Sequence, residues 1–365
     1  MSNRDISVYI HFLYCKSRCP YCDFFKKLIK KDFDEKEYVQ NILKDLDNMY
    51  NLFGKREVKS IFFGGGTPSL LSGKAVGDII EGIDKRYNIK NGAEISLEAN
   101  PNTFERDKFI SFKNAGINRL SLGVQALNEK DLKYLGRTHS VDEARKAIEC
   151  GVKLFDKCSI DLIYARENQD FNEWKKEIDE AVSFGLKHIS LYQLSIEEGT
   201  IFERKNVKAM DEELGAKFYE DTVSYLREKG FDRYEVSNFS KDVWNRSTHN
   251  MVYWQGGDYI GLGVGAHGRI KQGDKIFATV DGHMIEELKT GERAYELVIM
   301  GLRIKDGIDA KSFYEASGVK LFEFLDEYKL EELKKLDLIE YDENNVRVTD
   351  KGMLVLDKII EEIVP

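Results

Sequence analysis

The chain reads as an α/β protein: a partial (β/α)6 barrel followed by a small winged-helix-like α+β module. Three observations predict this. Short β-rich runs alternate six times with longer amphipathic helical patterns, the signature of parallel strands joined by crossover helices. Gly116, Gly151, Gly185 and Gly230 each follow a helical pattern at the place where a helix ends. After Tyr295 the pattern changes to short helices and a hairpin, which sets the C-terminal module apart.

Taken in order, strands are expected over residues 6–11, 58–63, 93–98, 117–123, 153–161 and 188–193. The helices between and after them are expected over 33–53, 74–87, 105–115, 141–150, 172–185 and 211–229. The first helix carries Tyr38, Ile42, Leu43, Leu46 and Met49 near the 3.6-residue period of one buried face. From about residue 231 to 268 the chain reads as loop-rich, aromatic and glycine-rich. Helical patterns over 295–304, 310–317 and 327–336 then lead into LIEYDENNVRVTDKG, a hairpin expected to turn near Asn344 and Asn345, with a final helix behind it. The expected organisation is a barrel over 1–230, a connecting segment over 231–294 and the module over 295–365. Winged helices often read DNA, but this one is acidic, so it is expected to pack or to meet a protein partner.

Composition narrows the function classes. The 365 residues are 42% hydrophobic and 33% charged, as in a globular protein large enough for one big domain and a small one. A net charge of −9 gives no general attraction to nucleic acid or to an anionic membrane. Five cysteines, three of them clustered, argue for a reducing compartment rather than a disulfide framework. No apolar run suggests a membrane span, and the first residues lack the plan of a signal peptide. A cytoplasmic location is expected.

The sharpest motif is Cys15, Cys19 and Cys22, spaced C-x-x-x-C-x-x-C directly after the first strand. Three thiolates are one fewer than a closed four-cysteine site needs, so they leave a metal corner open for chemistry. Zinc remains an alternative for Cys19 and Cys22, with His11 as a further ligand. In a parallel barrel the reactive face lies at the C-terminal ends of the strands, and the distinctive residues fall there one strand after another. The second strand ends in FFGGGTPS, with Gly64, Gly65, Gly66 and Thr67; successive glycines let backbone approach a ligand closely. Glu98 ends the third strand, and Gln125 stands at the same level after the fourth. Arg137 follows in LGRTH, either facing a carboxylate as a fork or forming a solvated surface pair with His139. Asp161 ends the fifth strand, where two acceptor oxygens suit a ribose diol. Tyr192 and Gln193 end the sixth. Cys150 and Cys158 read as buried small residues.

Taken together, YIHFLYCKSRCPYCDF, FGGGTPS, EANP, LSLGVQ, LGRTH, IDLIYA, YQLSIEEGT, YEVSNF, HNMVYW and GLGVGAH resemble the oxygen-independent coproporphyrinogen III oxidase-like branch of the radical S-adenosylmethionine (SAM) proteins. Within it the chain is most similar to the heme chaperone subgroup. The resemblance covers nearly the whole chain. It implies a [4Fe-4S] cluster on Cys15, Cys19 and Cys22, and a SAM site lined by Tyr9, Tyr21, Gly65, Gly66, Thr67, Glu98, Gln125, Arg137 and Asp161. It implies an electron donor for the cluster and an acceptor protein for heme, and it leaves catalytic residues unassigned.

Departures from the family pattern sharpen this. The decarboxylating members carry a fourth cysteine two positions after the third, where this chain has Phe24. They also carry an N-terminal extension over the substrate, whereas eight residues precede Tyr9 here. ARENQD stands where the family usually has a Leu-Pro-Gly-Gln turn. In THNMVYWQGGDYIGLGVGAHG, a histidine beside aromatic residues offers what a heme needs, an axial nitrogen and flat apolar walls. The resemblance makes His249 the leading heme ligand, with Tyr253 and Trp254 as walls at the barrel mouth and His267 second. Four readings stand: a heme-handling chaperone, a radical enzyme of porphyrinogen chemistry, a zinc-stabilised barrel, and a binding module acting through its C-terminal end.

Overall fold

The first strand shows why a parallel barrel forms. Ile6, Val8, Ile10 and Phe12 are buried, and so are Ser7 and His11 between them, so nearly every side chain of ISVYIHF lies inside. A strand covered on both faces belongs in the middle of a parallel sheet. In the computed structural model, which describes residues 5–365, this strand, β1 (Ile6–Phe12), is followed by β2 (Glu57–Gly65), β3 (Asn88–Ala99), β4 (Arg119–Gln125), β5 (Lys157–Tyr164) and β6 (His188–Gln193). All five successive pairs are parallel. The helices between them bury apolar faces against the sheet; Glu35–Phe53, for example, turns Val39, Ile42, Leu46, Met49 and Phe53 inward. Their starts are fixed by side-chain caps, including Asp34, Asp170 and a capping box of Ser140 with Glu143.

The segment over 231–294 differs from the loop-rich expectation. It supplies six further strands: β7 (Asp232–Glu235), β8 (Asn238–Ser240), β9 (Asp258–Leu262), β10 (His267–Gln272), β11 (Lys275–Val280) and β12 (His283–Leu288). The sheet order is β12-β11-β10-β9-β1-β2-β3-β4-β5-β6-β8-β7. β9 pairs parallel to β1 and β8 pairs antiparallel to β6, so the added strands flank both sides of the six-stranded core. The sheet therefore stays an open, partial barrel. Glycines spaced through GLGVGAHG hide these strands from a pattern search. At Gly261, a Cβ would stand 2.3 Å from the His267 carbonyl oxygen, so backbone approaches backbone there.

Strand boundaries also shift, the largest change being the third strand, which starts at Asn88 rather than at 93. The helix Val141–Leu154 runs on past Cys150, so the fifth strand starts at Lys157 rather than at 153. The fourth strand runs from Arg119 to Gln125, displaced two residues toward the C-terminus from the expectation.

Residues from Ala294 to Ile363 form a second hydrophobic core. Helices Thr290–Gly301, Ala310–Ser317 and Glu327–Lys335 pack there beside a three-stranded sheet of β13 (Ile308–Asp309), β14 (Ile339–Tyr341) and β15 (Asn345–Val348). The hairpin turns at Asp342–Asn344, and neither Asn344 nor Asn345 is left-handed. Instead the Asp342 carboxylate accepts from the backbone N–H groups of Asn344 and Asn345. Among the described residues no helix is long and apolar enough to cross a membrane.

ARENQD makes its own turn after β5. Ala165 and Asn168 take left-handed backbone angles, φ 55° and 59°. Arg166, only 2% exposed, holds the turn against the barrel. Its guanidinium donates to the Ile163 carbonyl at 3.0 Å and meets Glu177 at 2.5 Å and Asp131 at 3.0 Å. Glu177 in turn accepts from Leu127 N–H at 2.6 Å. A buried ion pair of Arg166 thus holds the turn that stands where the family pattern has Leu-Pro-Gly-Gln.

Removing one member of such a pair leaves the other charge buried alone. Arg166→Met should therefore lower stability by about 3 kcal/mol, read from the midpoint of denaturant unfolding. An unchanged midpoint would show that the turn does not depend on this pair.

Candidate functional site

A cavity of about 410 Å³ opens at the C-terminal ends of β1–β6. It is lined by Cys15, Cys19, Cys22, Tyr21, Gly65, Gly66, Thr67, Glu98, Gln125, Arg137 and Asp161, so all but two of the expected site residues meet at one place. The cysteine loop is seated by backbone pairing. Gly66 N–H donates to the Phe12 carbonyl at 2.6 Å and Thr67 N–H to the Tyr14 carbonyl at 2.8 Å. A Cβ on Gly66 would lie within 2.7 Å of both oxygens, so only glycine fits.

The three thiols are free and half-buried. The Thr67 hydroxyl donates to Cys15 Sγ at 3.4 Å and Arg137 Nη1 to Cys19 Sγ at 3.3 Å. Burial pushes the Cys15 thiol up, and the Thr67 hydrogen bond opposes that shift. Among the described residues no three of His, Cys, Asp and Glu converge closely enough for a single metal ion. Three thiols lining one cavity would hold three irons of an iron-sulfur cluster and would leave a fourth without a cysteine ligand.

Across from them stand two buried carboxyls. Glu98 accepts from Gly65 N–H at 3.2 Å. Its pKa is pushed up to about 8 by burial and then by the charge of Asp161, against the Gly65 hydrogen bond. Asp161 is pushed up to about 6 by burial, opposed by hydrogen bonds from Ser190 and Ser121; the Ser121 hydroxyl lies 3.1 Å from Oδ1. Two raised carboxyls in a shared pocket are poised for a cation or for hydroxyl groups. Gln125 projects into the cavity from a left-handed backbone, φ 73°, a strained conformation for a side-chain-bearing residue.

Arg137 is a fork, as expected, but its partners are internal. Nη2 donates to Asn100 Oδ1 at 2.5 Å and to the Gly123 carbonyl at 2.8 Å, while Nε is buried with no hydrogen-bond partner among the described residues. His139 is not its solvated companion; it is buried, with Nε2 3.1 Å from the Val124 carbonyl.

Two expected site residues lie elsewhere. Tyr9 sits below the cavity, its hydroxyl 3.0 Å from His11 Nδ1 and its ring stacked on Phe62. His249 is 0% exposed, and both ring nitrogens are occupied. Nδ1 is 2.9 Å from the Ser60 hydroxyl and Nε2 is 2.6 Å from the Tyr253 hydroxyl, with the ring stacked on Phe62. Burial, then Lys59, lowers its pKa to about 3, so the imidazole is neutral. It therefore belongs to the barrel interior and not to a mouth. Trp254 lines a second cavity of about 440 Å³ at the opposite ends of the strands, with Asp5, Lys59 and Asp258.

Asn100, Ser121 and Ser190 were missed as site residues. Asn100 ties Arg137 to Thr67, donating to the Thr67 hydroxyl at 3.0 Å, while the serines hold Asp161. The signal for two of them is the period of two along a strand. Asn100 follows Glu98 by two and Ser190 precedes Tyr192 by two, so each points the same way as a residue already suspected, while Ser121 has no such neighbour two positions away.

The raised Glu98 carboxyl has a consequence for stability. Folded, it keeps a proton that the unfolded chain loses near 4.5, so stability falls as pH rises from there to about 8. Glu98→Gln should flatten that fall, by a few kcal/mol at pH 8, in thermal or denaturant unfolding of the cofactor-free chain. A parallel fall in the variant would remove Glu98 as its source.

Comparison with known proteins places the chain. The Radical SAM superfamily profile matches residues 9–181, and the HemN C-terminal domain profile matches 289–355. The heme chaperone HemW of Buchnera aphidicola subsp. Schizaphis graminum is 34% identical over 98% of this chain and 97% of its own. HemW of Escherichia coli (strain K12) is 38% identical over 78% of this chain and 74% of its own. The mitochondrial radical S-adenosyl methionine domain-containing protein 1 of Bos taurus is 34% identical over 97% and 86%. In fold, coproporphyrinogen III oxidase (HemN) of Escherichia coli, a radical SAM enzyme, superposes with a TM-score of 0.79 over 98% of this chain and 90% of its own, at 20% identity. A three-cysteine loop over a barrel mouth and full-length kinship to these relatives lead to one assignment: the chain belongs to the radical SAM superfamily, in the coproporphyrinogen III oxidase-like family and its HemW-like subgroup.

Proposed function

We propose that the chain is a heme chaperone that carries a [4Fe-4S] cluster with exchangeable SAM and hands heme to an acceptor protein. The observation that carries this reading is the full-length relation to curated HemW heme chaperones in a chain that has Phe24 where decarboxylating relatives have a cysteine. Cys15, Cys19 and Cys22 anchor the cluster, with Thr67 and Arg137 donating hydrogen bonds to Cys15 and Cys19. Glu98 and Asp161 take the ammonium and ribose hydroxyls of SAM, with Gln125, Tyr21 and the Gly65–Gly66 backbone walling the rest. Bound there, cluster and SAM supply one-electron chemistry. The chain works in the cytoplasm, with a protein electron donor and a protein heme acceptor, and without nucleic acid.

A second reading is a coproporphyrinogen III oxidase-like enzyme. It is favoured by the HemN fold spanning 98% of the chain. Domain limits of 1–230, 231–294 and 295–365 are part of the proposal, although β9 puts the middle segment into the barrel sheet itself.

Anaerobic reconstitution separates the readings. Iron and sulfide should bind in cluster proportion, and each single Cys→Ala change should remove the cluster absorption and its reduced-state paramagnetic signal. Hemin should bind stoichiometrically, and coproporphyrinogen should not be decarboxylated. Decarboxylation at an enzymatic rate would establish the second reading instead, and zinc in place of iron would overturn both.

SAM affinity should rise with pH. A cationic ligand favours ionised Glu98, which is largely protonated at neutral pH, so binding expels a proton up to about pH 8. Titration calorimetry in buffers of different ionisation heat reads that proton. Glu98→Gln should abolish the pH dependence, and Asp161→Ala should weaken binding by about 1–3 kcal/mol. A pH-independent affinity in the unaltered protein would sink the assignment of Glu98.

A further inference from the structure

The ribbon immediately after the cysteine loop does not fit its surroundings. Residues 24–31 read FFKKLIKK, four lysines and no acid in a chain of net charge −9. Phe24, Phe25 and Leu28 are 60%, 56% and 46% exposed, and Lys27, Lys30 and Lys31 are exposed beside them. The ribbon is nevertheless held in place: Lys27 N–H donates to the Leu13 carbonyl at 2.8 Å and Ile29 N–H to the Cys15 carbonyl at 2.9 Å. Exposed aromatic side chains on fixed backbone mark an interaction surface. The lysines around them set its sign, so the occupant is apolar over one face and anionic at an edge.

This ribbon borders two other features. Phe24 and Lys26 line the mouth of the main cavity. The Phe25 ring leans on Gly265, where a Cβ would come within 2.6 Å of it, and the Phe25 carbonyl lies 3.0 Å from His11 Nε2. Beside Gly265, Val264 is 53% exposed. Two residues beyond Gly265, His267 presents an exposed imidazole that takes part in no hydrogen bond among the described residues. His11 lies near enough to feel the charge of His267. An unengaged imidazole beside apolar side chains and a basic edge is what an iron porphyrin dicarboxylate requires. The buried and doubly hydrogen-bonded His249 offers none of these.

Resting on the heme-handling reading above, we propose that heme docks outside the barrel mouth. Its ring lies on Phe24, Phe25 and Val264, its propionates meet Lys27, Lys30 and Lys31, and His267 ligates the iron. The exposed position suits a cargo that must be handed to another protein.

The test is hemin titration of the full-length, cluster-loaded protein, comparing the unaltered chain with Lys27→Glu/Lys30→Glu/Lys31→Glu, with His267→Ala and with His249→Ala. The charge reversal should weaken heme binding roughly tenfold. That loss should vanish with heme dimethyl ester, which lacks the anionic edge. His267→Ala should move the Soret band while the cluster signal stays unchanged. Unchanged affinity and spectrum in both the lysine and His267 variants, with heme still bound by the unaltered protein, would overturn this site and leave the heme-handling reading standing. Failure of the unaltered protein to bind heme would overturn the heme-handling reading and this site with it. If the lysine variant instead loses only co-sedimentation with phosphatidylglycerol vesicles, the ribbon is a lipid-binding surface and the proposal fails.

Discussion

The site depends on one short stretch of backbone pairing, where the chain leaving β1 lies against the chain leaving β2. β1 and β2 are in register through Phe12 and Gly65, and the pairing continues past both strand ends as Gly66 N–H to Phe12 and Thr67 N–H to Tyr14. That extension holds the stem of the cysteine loop against the loop that carries Thr67. Gly66 is the constraint, because any Cβ would drive into two carbonyl oxygens that cannot move without unpairing the strands. Thr67, held there, reaches Cys15 with its hydroxyl and Asn100 with its oxygen lone pair, and Asn100 passes the connection to Arg137 and so to Cys19. A path of hydrogen bonds thus links two of the three thiols through elements from four different strand ends.

The cavity beyond that loop has an unusual charge balance. Two carboxyls sit deep inside it, while Arg137 turns most of its donors toward Cys19, Asn100 and the Gly123 carbonyl. Burial holds both carboxyls toward the neutral form when the cavity is empty of ligand. A ligand that brings positive charge recovers the ionised forms and their full attraction, whereas an anion meets no such gain. The burial of its own acids therefore biases the pocket toward positive charge, and the serines beside Asp161 offset part of that burial cost.

Much of this was legible in the sequence because the barrel repeats a simple rule. Each parallel strand is a buried apolar run, and whatever polar residue ends it faces the common mouth. Cys15, Gly65, Glu98, Gln125 and Asp161 were found that way. The rule fails where polar residues serve the interior. Tyr9 and His249 look like site residues by type, yet both stack on Phe62 and satisfy their polar atoms with buried partners. A linear sequence does not reveal such partners, because Ser60 and His249 lie 189 positions apart. The strands after residue 231 were hidden for a different reason. Their glycines are there for close backbone contact, as at Gly261, and glycine erases the alternation by which a strand is recognised.

The placement of His249 also says something about how the middle segment is used. Its backbone N–H and the Thr248 hydroxyl approach Glu94 in the middle of β3, which Arg119 and Lys157 also reach. Its imidazole bridges Ser60 on β2 to Tyr253 within its own helix. The helix Thr248–Trp254 is therefore bound to the barrel through one buried carboxylate and one neutral imidazole, just before β9 joins the sheet beside β1. Ligating a metal through either nitrogen of this imidazole would break the hydrogen bond on that nitrogen and open a fully buried site, a loss of about 1–3 kcal/mol for the group left unsatisfied. An exposed imidazole that breaks nothing, such as that of His267, avoids that cost. By this comparison the interior histidine holds the fold together, whereas His267 stands exposed near the barrel mouth, at the end of the turn that the lysine ribbon reaches through Phe25 and Gly265.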